Sequence, residues 1–161
     1  MRANERGFSL IELLIVVAII LIIAAIAIPN YLRSRIAANQ ASAVESCRTI
    51  DSAEVTYNSS YGQGYSSTLT ALAPPAGGGQ ATPAAAAIID SVLGGGTKSG
   101  YNFVYAPNTL DGSAGYQGYS LNANPANPGV SGDAYYYTDQ TYAIYVNSTT
   151  TASSTDSVIG Q

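Results

Sequence analysis

Glu12 is a carboxylate at the mouth of an apolar run. Gly7-Phe8-Ser9-Leu10-Ile11-Glu12 leads into Leu13 to Ile28 with no further charge. An unpaired carboxylate in such surroundings costs about 3 kcal/mol at a bilayer centre on insertion scales, less near an end, and therefore calls for a partner. No Lys, Arg or His follows within 20 residues, and Arg6 lies six residues earlier on a different helical face. Scission of the Gly7–Phe8 bond would create a partner, a protonated α-amine on Phe8 able to neutralise Glu12 of another chain in a bundle. Gly7 suits such a cut, because a residue without a side chain lets the backbone approach a peptidase closely.

The rest of the sequence offers little reactive chemistry. With no His, one Cys and scattered acids, neither a zinc site, nor a Ser-His-Asp triad, nor a thiol–imidazole pair can be built. The expectation is a non-enzyme without cofactor or metal. Lone Cys47 excludes an intramolecular disulfide and reads as a small buried side chain. The glycine triplets at 77–79 and 94–96 lack the following Gly-Lys-Ser/Thr of a phosphate loop. The formal charge is −4, and loss of Arg2, Glu5 and Arg6 would turn six basic and ten acidic residues into four and nine. No specific nucleic-acid site is evident; Arg33 and Arg35 are the one local basic patch.

A long helix must position Glu12. Phe8 to Ile28 is 21 residues, about 31 Å of helix, which matches the roughly 30 Å hydrocarbon core of a bilayer. The run has no Gly and no Pro before Pro29, so its backbone can satisfy itself in lipid. As a secretory signal peptide cut after Ala25-Ile26-Ala27, the run would exceed the usual 7 to 15 apolar residues, and Glu12 would be discarded without purpose. A plain single-pass anchor leaves Gly-Phe followed by Glu unexplained. Arg2 and Arg6 before the span are matched by Arg33 and Arg35 after it, so positive-inside counting is a tie.

A short charged leader, then Gly7-Phe8-Ser9-Leu10-Ile11-Glu12, then an apolar run closely resembles the prepilin signature of the type IV pilin and pseudopilin superfamily. The resemblance is specific over residues 6 to about 36 and architectural beyond. It implies that a membrane prepilin peptidase and methyltransferase cuts after Gly7 and methylates Phe8, and that Glu12 guides the subunit into a helical homopolymer. It also implies a cytoplasmic leader, a single-pass precursor in the inner membrane, and pilus assembly machinery with a cytoplasmic ATPase and an inner-membrane platform.

Beyond Pro29, which predicts a kink or loosened turn, Ala43, Cys47, Ile50 and Tyr57 form an amphipathic stripe, with Arg48, Asp51 and Glu54 as polar positions between. The reading predicts one helix to about Asn58. The fold class expected is α+β: a long N-terminal α-helix, membrane-spanning and then amphipathic, packed on a small antiparallel sheet. The segments expected are a leader at 1–7, a polymerisation helix at 8–29, an amphipathic helix at 30–58 and a connecting loop at 59–100. A sheet of three or four strands at 101–146 follows, then a Ser/Thr-rich tail at 147–161, either poorly ordered or exposed on a filament surface. Within the loop, Ser66 caps a turn through Leu72, and Thr82-Pro83 opens a helix from Ala84 to Leu93. Strands are read at 101–105, 116–121, 134–138 and 141–146, the last two flanking Asp139-Gln140 as a hairpin, and 124–129 is read as the preceding turn. Eleven of the thirteen tyrosines follow Asn58 and supply packing mass or an aromatic surface. Asn58-Ser59-Ser60 and Asn147-Ser148-Thr149 fit the glycosylation pattern.

The function expected is a structural subunit of a type IV pilus, serving adhesion, twitching motility or DNA uptake at the cell surface. The alternative is a pseudopilin of type II secretion. Against it, there is no Trp, and Asp111, Asp133 and Asp139 are scattered rather than gathered in the calcium loop that the resemblance associates with major pseudopilins. A secreted or singly anchored binding domain is the third possibility.

Overall fold

The computed structural model describes residues 8–108 and 115–160. Gly7 and Asp111 lie outside the described residues. The chain forms two compact units, divided between Arg35 and Ile36.

Helix α1 runs Leu10–Tyr61 and continues unbroken through Pro29. In the first unit the helix exposes its apolar side chains on all sides, Leu10, Ile15, Ile20 and Ile26 among them. The most apolar stretch of the helix is wholly unburied, as befits a helix that is apolar all round and awaits another solvent.

The second unit is built on a sheet of six antiparallel strands in sequential order. They are β1 Thr97–Lys98, β2 Tyr101–Asn108, β3 Gly118–Pro125, β4 Tyr135–Asp139, β5 Tyr145–Asn147 and β6 Ser157–Val158. Period-2 alternation turns Tyr101 and Phe103 of β2, Tyr119, Leu121 and Ala123 of β3, and Tyr136 and Thr138 of β4 to the buried face. The register sets Leu121 beside both Tyr105 and Thr138, and Ala123 beside both Phe103 and Tyr136. Onto this face α1 packs Ala43, Cys47, Ile50, Ala53 and Tyr57.

Several expectations are corrected. The sheet has six strands rather than three or four. Ser66 caps no helix, being bonded to Glu54; Thr68 caps the short α2, Leu69–Leu72, through its side chain. Nor does Thr82-Pro83 open a helix. Ala86, Ile88 and Ile89 donate their N–H groups to carbonyls of Ala71 and Leu72, and only α3, Ser91–Gly94, is helical, capped by Asp90. Two apolar loop segments satisfy each other's backbone there, an option that local helix signals do not register.

Asn124 and Pro125 belong to β3, where Pro125 occupies the strand's last position, opposite Tyr101. The hairpin after β4 is wider than a two-residue turn. The Asp139 carboxylate accepts from Thr141 N–H at 2.8 Å and Thr141 Oγ1 at 2.6 Å, and Tyr142 takes φ 62°, so β5 begins only at Tyr145. The tail is ordered: Asn147 Oδ1 accepts from the N–H groups of Thr149 and Thr150, and Asn147 Nδ2 donates to Asp156. Ala152 is buried, and β6 pairs with β5.

Candidate functional site

The helix begins at Leu10, which makes Ser9 its N-cap residue and Glu12 its third residue. Ser9 N–H donates to Glu12 Oε2 at 2.8 Å, and Leu13 N–H donates to Ser9 O at 3.2 Å. The carboxylate thus satisfies one of the donors orphaned at a helix start, and its charge favours the positive end of the helix dipole. The Ser9-x-x-Glu12 spacing is the sequence signature of a capping box, a signal that the reading of Glu12 by charge alone passed over. Phe8, 80% exposed, stands just ahead of this turn. Phe8 and Glu12 are therefore at the same end of the first unit, and Pro29 lies inside the helix near the other end of its apolar run.

A second polar cluster, inside the second unit, was hidden from sequence reading. Asp51 and Glu54, expected among the polar positions between stripe residues, are instead 6% and 0% exposed. Glu54 accepts from Ser66 N–H at 2.9 Å and from Ser66 Oγ at 2.6 Å. Asp51 accepts from Tyr119 OH at 2.7 Å and from Thr138 Oγ1 at 3.0 Å. Burial pushes the Asp51 carboxyl up to about 6, the hydrogen bonds from Tyr119 and Thr138 opposing it. Its influence reaches outward: Tyr119 is raised by burial and by Asp51, and Cys47 is pushed up to about 12 by burial and then by Asp51. Cys47 is accordingly an inert buried thiol. The available signal was the gap of seven between Ile50 and Tyr57. The stripe advances by four and three, and the member missing between them is Glu54. Among the described residues no three His, Cys, Asp or Glu side chains gather as metal ligands.

The two clusters differ in kind. The Asp51–Glu54 group is closed, its carboxylates occupied by hydroxyl and amide donors of their own unit, and it holds α1 to the sheet. Ser9 and Glu12 lie on an exposed helix end. The family described as the prokaryotic N-terminal methylation motif matches residues 2–28, which includes every residue of that helix entrance. The helix entrance thus lies within an N-terminal methylation motif.

The type IV major pilin protein PilA of Myxococcus xanthus is 46% identical over 54 residues, 34% of this chain and 24% of that protein. The type IV wide pilus major component PilA4 of Thermus thermophilus is 64% identical over 36 residues, 22% of this chain and 28% of that protein. The match thus spans about a quarter of the length of each relative. No solved structure matches the chain.

Proposed function

We propose that this chain is the structural subunit of a type IV pilus filament and polymerises through the helix that begins at Phe8. Prepilin peptidase removes residues 1–7 after Gly7 and methylates the new Phe8 amine. The subunit then waits in the inner membrane until an ATP-driven assembly machine draws it into a homopolymer at the cell surface. It performs no catalysis.

The observation that carries this reading is the first unit itself: a helix exposed and apolar all round, headed by a carboxylate and lying within the match to the methylation motif as far as Ile28. Lipid covers such a surface before assembly, and neighbouring helices cover it afterwards, so the apolar area stays out of water throughout. Glu12 keeps its own helix capped with Oε2, and a carboxylate has acceptor capacity for a second donor. In a dry bundle that donor is the Phe8 amine of a neighbour. The major-pilin names of both relatives and the absence of Trp favour a pilus over a type II secretion pseudopilus.

The test is the mass of the N-terminal peptide from fibres sheared off the cell surface. A peptide starting at methylated Phe8 in abundant fibre is expected. Sheared fibres lacking this chain, or a chain retaining Met1 to Gly7, would overturn the proposal.

A further inference from the structure

Four cations follow the leader: Arg33, Arg35, Arg48 and Lys98. Two are paired among the described residues, Arg48 with Glu45 at 4.0 Å and Lys98 with Asp90 at 3.1 Å. Arg33 and Arg35 are exposed and have no carboxylate within 4.0 Å among the described residues, although the chain is acidic. They lie just past the apolar run, beside Tyr31, 66% exposed, and Leu32. On a helix, Tyr31 and Arg35 share a face, and Arg33 projects from nearly the opposite side. The group therefore encircles the helix rather than marking one side of it. Exported flanks usually carry fewer Lys and Arg than cytoplasmic ones, so two arginines here run against the usual bias and need a reason.

We propose that Tyr31, Arg33 and Arg35 form a collar that holds the phosphate groups of anionic phospholipids in the outer leaflet while the subunit waits in the membrane. The inference rests on residues 8 to about 29 spanning that membrane. Guanidinium forks match phosphate oxygens in geometry as well as charge, and tyrosine favours the headgroup level, where its ring is half in lipid and its hydroxyl is wet. Held on both sides of the helix, the collar sets the depth of the span. Drawing the subunit into a filament must strip these headgroups away, so the collar sets part of the work of extraction.

The test is lipid selectivity of the full chain reconstituted in phosphatidylcholine vesicles that carry trace spin-labelled phosphatidylglycerol or spin-labelled phosphatidylcholine. Flotation with the vesicles checks the membrane reading by itself. Enrichment of the phosphatidylglycerol probe around the protein checks the collar, and comparison with the Arg33→Gln/Arg35→Gln chain cancels the equal contribution of Arg2 and Arg6. Both substitutions are on exposed helical positions, so the fold is kept. The wild type is expected to enrich the anionic probe on the order of thirtyfold more than the double variant, about fivefold for each arginine. Equal enrichment by both chains would overturn the inference. So would loss of the enrichment to inorganic phosphate but not to chloride at the same ionic strength, which would mark a free-phosphate site. Cross-linked dimers lost in the double variant without any lipid preference would also overturn it, since a second copy would then be the partner.

Discussion

Asp51 and Glu54 sit one turn apart on the face of α1 that meets the sheet, and each is held by donors from other segments: Tyr119 and Thr138 for Asp51, Ser66 for Glu54. Charge buried this way supports specific docking only while its donors remain, and removing one partner leaves a costly remainder. For Asp51 the sign of the pH dependence is definite. Burial raises its carboxyl from an ordinary 3.8 to about 6, so the folded chain binds that proton more tightly than the unfolded chain. Its contribution to stability is greatest below about pH 4 and is lost as pH rises through 6, on the order of 2 kcal/mol in all after allowance for screening. The groups that face it are Glu54 and Cys47 on α1, Tyr119 on β3, and Thr138 and Asp139 on β4. Asp51→Asn keeps an acceptor for Tyr119 or Thr138 and removes the charge. Urea midpoints at pH 5 and pH 8 should therefore differ less in this variant than in the wild type; an undiminished difference would place the pH dependence elsewhere.

At the scale of elements, the tail shows how side chains replace regular pairing. Asn147 and Asp156 bond to each other at 2.9 Å and to the backbone of the turn between them, which positions β6 against β5. Asp156→Ala should free this turn, and limited proteolysis should cut between Asn147 and Ser157 faster than in the wild type while the sheet survives. Unchanged cutting would mean that β6 and Ala152 hold the tail without it. The order of the tail was not legible because Ser/Thr richness signals loop composition, whereas order here comes from two specific amide and carboxylate side chains. The long helix and the cores of β2, β3 and β4 were legible, because their periods of 3.6 and 2 persist over several residues. The segment at 84–88 was not, since its backbone partners lie in α2, more than ten residues away. The polar cluster under the sheet was missed because a charged residue is assigned to solvent until its partners are known. The helix entrance was legible in full, the cap included, had Ser9 and Glu12 been read as a spacing as well as a charge.

For the whole molecule, the division between Arg35 and Ile36 separates an exposed apolar helix from a unit with its own core. A fragment beginning at Asn30 should sediment as one small species, because the surface proposed to make the fibre lies upstream. Spontaneous fibres from it would place the assembly contacts in the second unit. The central claim is that Glu12 serves two ends, capping its own helix and pairing with a neighbour's amine, and Glu12→Gln separates them. Glutamine can still accept from Ser9 N–H, since Gln suits this position of a capping box as Glu does, but it carries no charge for an amine. The measurement is surface fibre yield set against the membrane pool in cells that express only this variant. The account predicts a normal pool, normal cleavage after Gly7 and a severe loss of fibre, in keeping with roughly 3 to 5 kcal/mol for a buried charge left without its partner. Fibre at the wild-type level would contradict it, showing that the cap is all that Glu12 supplies and that helix packing alone drives assembly.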